Sequence, residues 1–221
     1  ADVVAALDSS GLMNAPTQGL NLMGPDTARS IGQAYSDICS KFPFLVGNIG
    51  RANCSRLGSS TYGQCLMSTG AIDFNTKYYG RGNEASFAAS FSNCISTQFH
   101  PQGVMSKGAA YAVASHELGH AIEGRLEKLM KAAGVDTTEK RKKRYFISGR
   151  VKDKVLSNLS LVDDRSVIKA ELSEYAAMDS AEFFAEAVSE YLCSRSPRPV
   201  AAEVGKILER FLKNDFSDLG I

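Results

Sequence analysis

Apolar positions recur at helical spacing along most of the chain. Ile31, Tyr35 and Ile38 share one face, which predicts a helix opened by Asp26 as its N-cap. A longer helix is expected from about Lys107 to Ala133. Ser106 offers a cap, Ala109, Ala110, Ala112 and Ala114 favour the helix, and Gly134 stops it. "SVIKAELSEYAAM" and "SAEFFAEAVSEYL" read as two more helical segments, the second capped by Asp179. "AAEVGKILERFLKNDF" makes a final amphipathic helix through Val204, Ile207, Leu208 and Phe211. "SFAASFSNCIS" (86–96) leans towards helix. In "AIDFNTKYY" (71–79), Ile72 and Phe74 alternate with Asp73, so this run reads as a short strand. Residues 47–70 are rich in Gly and Ser and read as irregular. Residues 1–25 read as a flexible arm or linker ahead of a single domain over 26–221. The expected class is α+β, mainly helical with a small sheet.

Composition narrows the partners. A formal net charge of +1 over 221 residues gives no single-sign field, so no nucleic acid is expected. No apolar run is long enough to span a membrane. The chain begins at Ala1 without an initiator Met, so it is expected to be processed or cut from a longer protein, and its first residues lack the basic start of a signal peptide. Five cysteines with no CxxC exclude a complete disulfide framework within one chain and argue against a zinc knuckle. Mostly reduced, buried cysteines are expected, with one or two disulfides open among the first four. The basic run at 140–144 reads as a solvated face, or alternatively as a docking patch for an acidic partner.

The chemistry gathers in "ASHELGHAIEG" (114–124). His116 and His120, four apart on a helix, lie on one face and can direct ring nitrogens at one metal ion. Glu117 is one residue on and sits beside that metal, where it can hold water and accept its proton. The third ligand is the open question. A metzincin would place a histidine at position 126, which is Leu126. His100, in the Pro-bounded turn "TQFHPQG", is one candidate, either as a ligand or as a residue that shapes the cleft. The other is a carboxylate on "EYAAMDSAEFFAEAVSEYL". Glu182, Glu186 and Glu190 recur at spacing four there, and Phe183 and Phe184 beside Glu182 should turn that face to the core. A buried carboxylate wants a cation, so Glu182 would bind the metal. Glu186 would accept the N–H of a ligating imidazole.

The pair "HELGH" and "EYAAMDSAEFFAEAVSEYL" resembles the lethal-factor-like gluzincin metallopeptidases. The resemblance is closer to the domains of that kind in phage head-morphogenesis proteins, with "FHPQG" and "RPVAAEVGKIL" as further matching blocks. It covers roughly residues 70–212. It implies a zincin-like metallopeptidase domain whose edge strand borders the active-site cleft, with "AIDF" as that strand. It implies Zn2+ held by His116, His120 and Glu182, with Glu117 as general base and Glu186 behind the ligands. Tyr175, seven residues before Glu182, would stabilise the oxyanion, or else simply pack the helix pair. The implied activity is zinc-dependent endopeptidase action on a polypeptide substrate, in a phage-associated setting or as a toxin or injected effector. The alternative is a non-catalytic, zinc-stabilised structural or binding module.

Overall fold

The computed structural model describes residues 3–138, 146–213 and 215–217. The basic run at 140–144 lies outside the described residues. What is described is mainly helical with a small three-stranded sheet, an α+β arrangement.

The central element is helix α5, Ala109–Ala132. Its Ala- and Gly-rich first half is buried on nearly every side, so packing rather than amphipathicity sets its position. It does not start on Ser106. Residues Gln102–Lys107 form a 3₁₀ stretch, and Gly108, at φ +86°, makes the entry to α5. That conformation suits glycine alone at no steric cost. The Ser106 hydroxyl instead donates to the Cys193 carbonyl. At the far end Gly134, at φ +80°, closes the helix. Its N–H meets the Lys131 carbonyl and the Val135 N–H meets Met130, so the last carbonyls are satisfied.

Helix α8, Ser180–Cys193, lies against α5. Asp179 caps it by accepting from the Glu182 N–H at 2.9 Å. Phe183 and Phe184 are fully buried beneath it, each contributing roughly 1.5–3 kcal/mol by burial. The two helices approach closely because Gly119 has no side chain. A Cβ there would fall 2.9 Å from the Ala185 Cα. Helices α2 (Pro25–Lys41), α6 (Phe146–Asn158) and α9 (Pro199–Phe211) complete the core. The apolar positions expected to face inward do so: Ile31, Tyr35 and Ile38 on α2, and Val204, Ile207, Leu208 and Phe211 on α9. Helix α2 begins at Pro25 with Gly24 as its cap residue, which puts Asp26 inside the first turn rather than at the cap. Proline suits that first position because its missing N–H has no helical partner there.

The sheet revises two expectations. Strands β1 (Ala52–Ser55) and β2 (Gly63–Leu66) lie within the stretch read as irregular. β3, Ala71–Asn75, pairs with β1 in parallel and with β2 antiparallel. "AIDF" is therefore the middle strand and not the edge. Ile72 and Phe74, both fully buried, fit that double-sided pairing. The chain then turns into a one-turn helix α3, Thr76–Tyr79, rather than continuing as strand. Helix α4, Glu84–Ser96, follows.

The expected arm is folded too. Residues Val3–Ser9 form helix α1. Gln18 exchanges backbone bonds with Ala52 and Cys54 at 3.0 and 2.8 Å, adding to the outer side of β1. Leu20 and Met23 are buried. The segment has little local periodicity because its order comes from pairing with residues more than thirty positions away. This leaves β2 as the outer strand of the sheet on the side of α5.

Between α7, Arg165–Glu171, and α8 runs a short link holding Ser173 and a 3₁₀ turn, Tyr175–Ala177. Its backbone is bound to the turn after α4. The Glu174 N–H meets the Gln98 carbonyl at 2.8 Å, and the Tyr175 N–H meets Phe99 at 3.0 Å. Two loops distant in sequence are thus joined beside the first turn of α8.

All five cysteines are free. Cys39, Cys54 and Cys193 are buried, while Cys65 and Cys94 are partly exposed. No described helix is long and apolar enough to cross a membrane.

Candidate metal centre

His116 and His120 stand one turn apart on α5, and Glu182 faces them from the first turn of α8. One ligand atom from each lies within 4.8 Å of the others. The Glu182 Oε2 is 3.2 Å from the His116 Nε2 and 3.4 Å from the His120 Nε2. That oxygen is buried without a hydrogen bond of its own. A buried carboxylate oxygen that faces two imidazole nitrogens without a well-formed hydrogen bond to either leaves a place where a cation would be held by all three. Two nitrogens and one carboxylate oxygen are a donor set that divalent transition metals accept. The residues present therefore fit a metal ion.

The electrostatics agree. Burial opposes a charge on His116, but Glu182 and Glu186 outweigh it and hold the imidazole well above its ordinary pKa. Burial likewise pushes the Glu182 carboxyl up, and His116 and His120 more than offset this, holding it well below the usual carboxylate range. The site thus favours positive charge at its centre.

Glu186, one turn on from Glu182, is fully buried behind His116. Its Oε1 is 2.7 Å from the His116 Nδ1, and its Oε2 accepts the Ser173 hydroxyl at 2.9 Å. Glu190, one turn further, is just as buried and is forked by Arg198, with Nη2 at 2.8 Å. The acidic stripe at spacing four is therefore not a solvated face. Each carboxylate meets its own set of partners: Glu182 faces His116 and His120, Glu186 faces His100 and the other nitrogen of His116, and Glu190 faces Arg198.

Glu117 is 5 % exposed. Burial raises its carboxyl pKa, and the neighbouring Glu182 and Glu186 add to this against the opposing pull of His116 and His120. Its side chain lies along the outer strand. A Cβ at Gly63 would fall 3.1 Å from both the Cγ and Oε1 of Glu117. Gly63→Val, which adds methyls beyond that Cβ, is expected to push the Glu117 carboxylate aside. Metal affinity should stay at the parent value while any activity that uses the Glu117 carboxylate falls, and a metal titration beside a rate measurement checks the split.

The Tyr175 hydroxyl donates to Glu182 Oε1 at 3.2 Å, and its ring stacks on His116 with centroids 5.8 Å apart. Burial, then the nearby Glu182, raises its phenol pKa far above the ordinary value, so it stays a donor. His100 does not join the three converging ligand atoms. Its Nδ1 faces both oxygens of Glu186 at 3.1 and 3.2 Å. A cleft of about 660 Å³ opens beside His116 and Glu117, walled by Tyr62, Tyr78, Phe91, Phe99 and Val104. Tyr62 and Gly63 bring the outer strand to its rim.

No family model, curated protein or solved structure matches the chain. The reading of the site rests on its own geometry.

Ser173, Gly63 and the aromatic cleft walls escaped the sequence reading. Ser173 sits thirteen residues before Glu186, with no helical spacing to link them. Gly63 lies in a Gly-rich stretch where nothing marks it out. The aromatic residues of 62–99 are a visible cluster, and only the folded sheet turns them towards His116.

Proposed function

We propose that the chain is a zinc-dependent peptidase of the gluzincin kind, acting on polypeptide substrates. The observation that carries this reading is the convergence of His116, His120 and Glu182, with a buried carboxylate, Glu117, on the same helix turn and beside the cleft. A bound zinc ion would supply a Lewis acid that polarises the scissile carbonyl and makes water a nucleophile at neutral pH. The same donor set also serves ferrous iron. A base adjacent to the ligands favours hydrolysis over redox chemistry.

The chain's residues divide the remaining work. Glu117, its pKa raised by burial, takes the proton of the attacking water and returns it to the leaving amine. Tyr175, kept protonated, donates to the carbonyl oxygen as charge develops on it. Glu186 fixes the His116 ring so that Nε2 faces the metal. Strand β2, outermost in the sheet and at the cleft rim, offers backbone groups to an extended peptide. The aromatic walls suit a large apolar side chain next to the scissile bond.

Metal analysis of the purified chain, with a digest of a random peptide library, tests this. Stoichiometric zinc and cleavage beside large apolar residues are expected. Zinc without cleavage of any peptide would leave a zinc-stabilised module in place of an enzyme.

A further inference from the structure

Glu186 is 1 % exposed and carries more donors than holding His116 requires. His116 faces Oε1 and Ser173 faces Oε2, while His100 reaches across both at 3.1 and 3.2 Å. His100 is itself firmly placed. Its ring stacks on Phe91 with centroids 5.2 Å apart and meets the edge of Phe99 at 5.0 Å. Its turn is bound by backbone hydrogen bonds to the link carrying Ser173 and Tyr175. Its Nδ1 is engaged by Glu186, and neither residue belongs to the converging ligand set.

We propose that His100 is a positioning residue for the metal centre: it locks the Glu186 carboxylate in the rotamer that sets Oε1 against the His116 Nδ1 at 2.7 Å, leaving the His116 Nε2 on the side of the converging ligand atoms. His116 and Ser173 each hold one oxygen of the carboxylate. The contact from His100 spans both oxygens and adds a third restraint on the carboxylate plane. The turn "TQFHPQG", 86 residues from Glu186 in sequence, thereby becomes part of the metal centre without supplying a ligand. This inference rests on the metal reading above.

The test compares zinc affinity, by competition with a chromogenic chelator, across variants of the full chain. His100→Phe keeps the ring stack and removes the nitrogen. It is expected to weaken zinc binding about 10–100-fold, the usual cost of losing an outer partner of a ligand. The unfolding midpoint of the metal-free protein should stay near the parent's. His100→Asn places an amide nitrogen near the Nδ1 position and should restore most of the affinity. Glu186→Gln should weaken binding on its own, and adding His100→Phe to it should cost little more, since both act through one contact. Parent-like affinity in His100→Phe overturns the proposal and leaves the peptidase reading standing. So does a loss that tracks metal-free stability in both His100 variants. A parent chain that binds no zinc overturns both.

Discussion

Glu117→Gln is expected to keep zinc bound at the parent affinity while peptide cleavage falls by at least 10²–10⁴-fold, the range for losing a positioned general base. The amide has the shape of the carboxyl but cannot take a proton from water. Glu117 is not among the converging ligand atoms, so the metal has no reason to leave. Stability gives a second readout with the opposite sign. Burial is the main cause of the raised carboxyl pKa, so the folded metal-free protein resists ionising this group. Below the unfolded value of about 4.5 both states are protonated and the carboxyl costs nothing. As pH rises beyond it, the unfolded state ionises first and stability is lost. The neutral amide avoids that loss. The metal-free variant should therefore unfold at the same temperature as the parent or a higher one at neutral pH. A variant that loses cleavage and also unfolds earlier would owe its inactivity to the fold, and the base assignment would fall. Cleavage that survives would remove Glu117 from the mechanism outright.

What the sequence made legible was what short-range spacing encodes. Ile31, Tyr35 and Ile38 face the core because a period near four is a property of one helix. His116 and His120 share a face for the same reason. Asp179 caps α8 through an N–H three residues on, and Gly134 ends α5 through carbonyls a few positions back. Glu182 was reachable by a physical argument: a carboxylate beside Phe183 and Phe184 must be drawn inward, and a carboxylate drawn inward needs a cation.

The misreadings have the converse cause. β1 and β2 are four residues each, too short for period-two alternation to stand out from a Gly- and Ser-rich background. Their partner strand, taken alone, could not reveal that it is paired on both sides. The segment around Gln18 is ordered by the edge of β1, so its own composition still reads as a linker. Ser106 looks like a cap, but Gly108 is the residue that can adopt the φ that α5 needs at its start. His100 was legible in part: expected as a ligand or as a residue that shapes the cleft, it lines the cleft. Its contact with Glu186 was not legible, because no local pattern connects a turn to a helix so far downstream.

Glu182→Gln is the second decisive change. It is expected to lower zinc affinity by more than the ~10–100-fold assigned to an outer partner, because it removes the charge of one of three converging ligands while nearly preserving shape. The ordering matters more than either value: Glu182→Gln should exceed Glu186→Gln, which should match or exceed His100→Phe. Thermal unfolding provides the check. Zinc at 100 times its Kd stabilises a folded protein by about 2.7 kcal/mol when the unfolded chain does not bind it. The parent midpoint should therefore rise on adding zinc and fall back with chelator, whereas the Glu182→Gln midpoint should ignore both. The metal-free comparison also has a fixed sign. His116 is held well above its ordinary pKa partly by Glu182, and Glu182 well below its own by the two histidines. The pairing therefore stabilises the metal-free fold fully between about 4.5 and 6.5, the unfolded values of the two groups. That contribution fades as pH falls through the lowered carboxyl value or climbs through the raised imidazole value. Replacing Glu182 should cost most stability inside that window and progressively less outside it. A metal-free penalty that is flat with pH would mean that Glu182 contributes packing alone. A zinc-dependent midpoint that persists in the variant would remove Glu182 from the ligand set, and the gluzincin assignment would go with it.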